Sequence, residues 1–248
     1  MAVRNANAAL RIAVLECDHK LTTEFGSYGE ILEKWLYRAS HAVQHPLEID
    51  AVLISGARTF PAGILNQFAN LELATSVESD LPWIRKLLEF TSSVVSHARI
   101  MLVGICFGHQ LVAKAIGGEV RQREGGFKLG LVPTQLSEFG KQLFEQSDYI
   151  PNAHDVVARP PTVVESTNVE MLGRSQDGDN HGFYAPKKLI TLQGHPEFNR
   201  AIMGSVLEIS RGDLGDAAYN EAKTQLHADG DGDHAARILS KVLIKDLM

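Results

Sequence analysis

Ile100-Met101-Leu102-Val103-Gly104-Ile105-Cys106-Phe107-Gly108-His109-Gln110 is the stretch that decides the fold. An uncharged apolar run leads into Gly-x-Cys-x-Gly, and a helix-forming segment follows at once. A short apolar run bounded in this way reads as a strand buried on both faces of a sheet. Where such a strand turns sharply into a helix, the residue at the bend is held up at the sheet's edge. Gly104 and Gly108 let neighbouring chain pass where a Cβ would clash, as at the nucleophile elbow of G-x-S-x-G hydrolases. The helix beyond points its amides and the positive end of its dipole at the thiol, which favours thiolate. Cys106 is therefore a candidate nucleophile in an α/β protein.

Working outward, the segments before Cys106 alternate strand and helix. Strands are predicted at 10–16 and 49–54, the second stopped by Ser55-Gly56. A helix at 28–43 carries Ile31, Leu32, Trp35 and Leu36 at helical spacing. Asp80-Leu81-Pro82 is a helix start for 82–96, which offers Ile84, Leu87, Leu88 and Val94 for burial. With the strand 100–105 and the helix 108–116, this rhythm predicts a mostly parallel sheet with helices on both faces. Gly117-Gly118 ends the last of these helices, and short strands follow at 119–123, 128–136, 163–166, 170–174 and 189–192. Helices are predicted at 199–211, 216–227 and 233–247. The last puts Ile238, Leu239, Val242 and Leu243 on one face, to pack on the domain or on a partner. The simplest organisation is one domain over 1–248, with its core at about 10–211 and a helical extension at 212–248.

Composition narrows the class. A net charge of −6 argues against a nucleic-acid partner held through its phosphates. No apolar run approaches the ~20 residues of a membrane span, and 1–9 has no signal-peptide apolar region. Two cysteines, Cys17 and Cys106, make a disulfide framework implausible and fit a reducing compartment, so a cytoplasmic location is expected.

A cysteine nucleophile near neutral pH needs a base, and the base needs an orienting group. Thr191-Leu192-Gln193-Gly194-His195-Pro196-Glu197-Phe198 follows the last predicted strand. Pro196 favours an extended conformation, in which His195 and Glu197 project to the same side. Glu197 would then fix the imidazole tautomer, as the acid of a hydrolase triad does. If this strand lies near the Cys106 strand, the two motifs meet at the carboxyl ends of the sheet, where open α/β sheets bind ligands. Oxyanion donors are expected from the Phe107 N–H and from the bend at Ser55-Gly56-Ala57.

Taken together, Gly104-Ile105-Cys106-Phe107-Gly108-His109-Gln110 and Gly194-His195-Pro196-Glu197 resemble a class I glutamine amidotransferase of the stand-alone, GMP-synthase-like subgroup. The resemblance runs from about residue 10 to 211. It implies a flavodoxin-like fold, a Cys106–His195–Glu197 triad, and a role for Gln110 in holding a glutamyl substrate. Amides near Phe107 and either Gly56 or Ala57 would form the oxyanion hole. The chain departs from the family pattern at Ser55-Gly56-Ala57-Arg58, which lacks the usual proline, and at Asn152-Ala153-His154-Asp155, where the histidine is displaced by one.

The implied reaction is hydrolysis of a γ-glutamyl amide, glutamine to glutamate and ammonia, through a cysteinyl thioester, with no metal or cofactor. At 248 residues no synthetase domain is expected, and the sequence shows no P-loop, so the ammonia is expected to pass to a separate acceptor protein unless the enzyme is a plain hydrolase. The alternative is a stand-alone γ-glutamyl peptidase acting on glutathione-type conjugates. A degenerate binding or regulatory module is a further one. Cysteine proteins of flavodoxin-like fold that place histidine directly after the cysteine fit less well, because Phe107 stands there. His109 and Cys17 read as packing residues. Asp229-Gly230-Asp231-Gly232-Asp233 lacks the glycine and glutamate that an EF-hand requires at its sixth and twelfth positions, and reads as an interhelical loop.

Overall fold

The structure is a computed structural model that describes residues 12–15, 31, 50–55, 82–96, 100–121, 129–149, 152–153, 157–159, 169–176, 178, 180–226, 228 and 230–247. The elements in chain order begin with β1 (Ile12–Leu15), β2 (Ala51–Ile54), α1 (Pro82–Ser96), β3 (Met101–Ile105) and α2 (Phe107–Ala115). Then come β4 (Glu119–Arg121), β5 (Gly130–Leu131), β6 (Thr134–Leu136), α3 (Glu138–Phe144), β7 (Asp148–Tyr149), β8 (Asn152–Ala153) and β9 (Val157–Arg159). The chain closes with β10 (Glu170–Ser175), β11 (Asn180–Ala185), β12 (Leu189–Leu192), α4 (Arg200–Gln225) and α5 (Gly232–Leu247).

The main sheet runs β1-β2-β3-β12-β11-β10-β6-β7. Its first four strands are parallel neighbours, and those from β12 onward pair antiparallel. The parallel half carries the expected flavodoxin-like α/β architecture, and the late short strands extend the same sheet. Strand geometry sends alternate side chains to opposite faces, and two cores result. Ala51, Leu53, Met101, Val103 and Ile105 pack against α4 and α5, whereas Val52, Ile54 and Leu102 pack against α1 and α2. The predicted apolar face of α5 lies in the first of these cores: Ile238, Leu239, Val242 and Leu243 are all buried there.

Local chemistry sets the element ends. At the end of α2 Gly117 has φ 86, and its N–H and that of Gly118 donate to Lys114 O and Ala113 O, a Schellman closure. Asn199 caps α4 by accepting the Ile202 N–H at 3.0 Å. The predicted pair of late helices forms one run broken at Gly215, whose φ of 72 and ψ of 161 are not helical.

The second half differs from expectation in two places. The strand predicted over 128–136 divides into β5, which pairs with β8, and β6, which pairs with β10 and β7. Pro133 stands at the break and has no N–H for a continuous ladder. Strand β11, Asn180–Ala185, was not predicted, yet it is buried throughout and lies between β12 and β10. The strand predicted at 163–166 and most of the helix at 28–43 lie outside the described residues, as do Cys17 and His154; Ile31 is helical and buried.

Candidate active site

Strand β12 is the direct neighbour of β3, and their register pairs Leu192 with Ile105. This parallel pairing brings the two sequence motifs together at the carboxyl ends of adjacent strands. The Cys106 N–H donates to Leu192 O at 2.8 Å and locks the elbow to the end of β12. Cys106 itself has φ 52 and ψ −103, a backbone conformation that side-chain-bearing residues rarely adopt. The tight bend depends on its glycines. A Cβ on Gly104 would meet Gly108 O at 2.7 Å, and one on Gly108 would collide with Ile54 O.

His195 and Glu197 meet, although by a different route from the one predicted. Residues 195–198 form a turn closed by the Phe198 N–H donating to His195 O at 3.2 Å. Pro196 occupies the second position of that turn, where its fixed φ fits. The His195 Nδ1–H donates to Glu197 Oε1 at 2.6 Å, with both side chains buried. Phe198 stacks on the imidazole with ring centroids 4.0 Å apart and planes within 8°, which restricts ring rotation. Burial alone would push the His195 pKa down. The negative charges of Glu197 and Cys106, with hydrogen bonds to both, outweigh burial and raise it to about 10. Cys106, His195 and Glu197 are therefore linked in one hydrogen-bonded set.

The other predicted site residues separate. Phe107 opens α2 and is buried. Its amide belongs to the first helical turn, whose N–H groups have no acceptor within the helix. Gly56 and Ala57 lie outside the described residues. Gln110 faces another side chain: its Nε2–H donates to Gln193 Oε1 at 3.2 Å. Gln193 in turn donates from Nε2 to Cys106 Sγ at 3.7 Å.

Gln193 was missed from sequence, although a signal existed. Thr191, Gln193 and His195 recur at period two where β12 runs out, and all three reach residues of the elbow or of α2. Thr191 Oγ1 lies 2.8 Å from His109 Nδ1, and Gln193 and His195 both reach Cys106. His109 stacks on Phe183 with centroids 4.9 Å apart. Burial, with His181 adding to it, lowers the His109 pKa to about 3, against the opposing effect of the Asn180 backbone. His109 is thus a neutral packing residue, as predicted. Tyr149 lies within electrostatic reach of Glu197: burial first, then the charges of Glu197 and Asp231, push its phenol pKa well up.

Comparison with known proteins gives the class. Residues 44–208 match the family model described as glutamine amidotransferase class-I. A glutamine amidotransferase-like protein of Schizosaccharomyces pombe is 30% identical, over 94% of this chain and 98% of its own length. A gamma-glutamyl peptidase 4 of Arabidopsis thaliana is 28% identical over 52% of each chain. The crystal structure of a glutamine amidotransferase from Thermotoga maritima superposes with a TM-score of 0.65 at 15% identity, covering 95% of this chain and 98% of that one. The chain belongs to the class I glutamine amidotransferase family.

Proposed function

We propose that this chain is a cysteine hydrolase of γ-glutamyl amides, acting on glutamine to release glutamate and ammonia. The observation that carries the reading is the buried His195–Glu197 pair hydrogen-bonded at 2.6 Å, with the same imidazole bonded to Cys106.

His195 carries its proton beside the sulfur, which is the attacking atom. Attack on the γ-carbonyl forms a C–S bond and places negative charge on the carbonyl oxygen. The Phe107 amide and an amide of Gly56 or Ala57 are the proposed donors to that oxygen. Collapse of the tetrahedral adduct breaks the C–N bond while His195 gives its proton to the departing nitrogen. The neutral imidazole then takes a proton from water as the water attacks the thioester. Release of glutamate breaks the C–S bond and restores the resting sulfur–imidazole pair. Ammonia would serve a separate acceptor protein.

A second reading, a γ-glutamyl peptidase, is favoured by the similarity to a protein so named. In that case the leaving nitrogen is the amine of an amino acid or peptide, and the chemistry at Cys106 is unchanged. The test is to incubate the purified chain with glutamine and, separately, with glutathione, and to measure ammonia and released dipeptide. Faster glutamate formation from glutamine supports the first reading, and unaided turnover of glutathione the second. If neither substrate is hydrolysed, or if Cys106→Ala hydrolyses as fast as wild type, the proposal fails.

A further inference from the structure

We infer that Gln193 is a catalytic group that donates to the Cys106 sulfur, and that Gln110 is the positioning residue that aims it. The inference rests on Cys106 being the reactive thiol. Gln193 directly follows β12 and is almost wholly buried, with Nε2 3.7 Å from Sγ. Its amide has two chemically opposite ends, and a half-turn about the last side-chain bond would exchange them. Gln110 decides which end faces the sulfur. Its Nε2–H donor, 3.2 Å from Gln193 Oε1, takes up the acceptor end and leaves the NH₂ end for Sγ.

A hydrogen bond to an ionised acceptor is roughly twice as strong as a neutral one, so this contact favours the thiolate and fixes the direction of its lone pairs. His195 supplies the other contact, bonded to the same sulfur and to Glu197. His109, one turn further along α2 than Cys106, is held neutral and adds no charge. One N–H of the Gln110 amide is taken up by Gln193, beside the role in holding substrate that the resemblance implies. Both glutamines are within a few per cent of full burial, where an unsatisfied amide is costly. Their mutual bond therefore holds in the resting enzyme.

The test is the pH dependence of iodoacetamide alkylation at Cys106, followed by peptide mass in the full chain. Gln193→Met keeps volume without a donor, and Gln193→Glu keeps shape while replacing the donor with an acceptor. Both are expected to alkylate roughly tenfold more slowly than wild type at pH 7, the size of one charge-assisted hydrogen bond, and to reach the same rate at high pH. Gln110→Leu should shift the profile the same way by less, and the double variant should match Gln193→Met alone. Glutamine hydrolysis should lose kcat in parallel, with KM little changed.

An unshifted alkylation midpoint in both Gln193 variants would overturn the inference. Additive losses from Gln110 and Gln193 with a raised KM would do the same, since Gln110 would then be contacting substrate itself. Alkylation needs no γ-glutamyl substrate, so the two readings fail separately. A shifted midpoint in a chain that hydrolyses neither glutamine nor glutathione keeps this inference and ends the hydrolytic one. Hydrolysis with an unshifted midpoint does the reverse.

Discussion

At Cys106 the backbone and the side chain make opposite demands. A φ of 52 with ψ −103 suits glycine, yet the proposed chemistry requires a thiol there. Holding a side-chain-bearing residue in such a region costs about 1–3 kcal/mol. Cys106→Gly is therefore expected to be more stable than Cys106→Ala by about 1 kcal/mol or more in urea denaturation, while neither variant hydrolyses substrate. Equal stability would mean that the bend is unstrained. The His195 imidazole gives a second prediction. Its pKa is raised to about 10, so the folded chain holds a proton that the unfolded chain releases near its ordinary value of about 6.5. The stability this provides is fully present below that value and is lost as pH rises through about 10. An NMR titration of the ring protons should place the midpoint far above 6.5 in wild type. The midpoint should fall in Cys106→Ala, which removes one of the two negative neighbours.

Among the elements, α5 bears most directly on the site. Gly232 is its first residue, and a Cβ there would collide with the carbonyl oxygen of Pro196, inside the turn that carries His195 and Glu197. Helix α5 can therefore seat against that turn only through glycine. Gly232→Ala is expected to displace one or the other, costing about 1–3 kcal/mol of stability and several-fold in hydrolysis. Gly204→Ala is the control, because a Cβ at Gly204 meets nothing within 4 Å and the residue is inside α4. Replacing glycine in a helix interior gains about 0.5–1 kcal/mol. Thermal melts of the two variants should move in opposite directions. The cavity of about 230 Å³ between β5, α4 and the first residues of α5 is lined by Pro196, Glu197 and Phe198 but not by Cys106. It lies against the turn, not over Cys106.

For the whole molecule, a histidine buried in α2 beside the sheet is expected to set the acid limit of the fold. His109 is neutral in the folded chain, its pKa lowered to about 3 chiefly by burial, whereas unfolding lets it titrate near 6.5. Between these values the unfolded state binds more protons, so stability rises with pH through this window and falls on acidification. His109→Gln should flatten that slope, measured as urea midpoints from pH 4 to 7. An unchanged slope would place the acid sensitivity elsewhere. His181 lies in the same region, bonded to Thr134 Oγ1 at 2.5 Å, and both histidines belong to elements packed at β11 and β12.

The sequence by itself determined the strand and helix that flank Cys106, the last strand 189–192, the apolar face of α5 and the pairing of His195 with Glu197. These are local signals: apolar runs, glycines at fixed offsets, and His-Pro-Glu at a spacing a single turn can close. Tertiary structure alone decided the rest. Asn180-His181-Gly182-Phe183-Tyr184-Ala185 has no alternation that would mark a strand. It is one because Asn180 caps the Gly182 N–H, Thr134 meets His181, and Gly182 lets Thr191 O approach closely. Each of those polar groups is tolerable in a core only when its partner arrives from elsewhere in the chain. Gln193 reads as an ordinary polar residue for the same reason. Its importance lies in Gln110 and Cys106, more than eighty residues away in sequence and brought within reach by the pairing of β3 with β12.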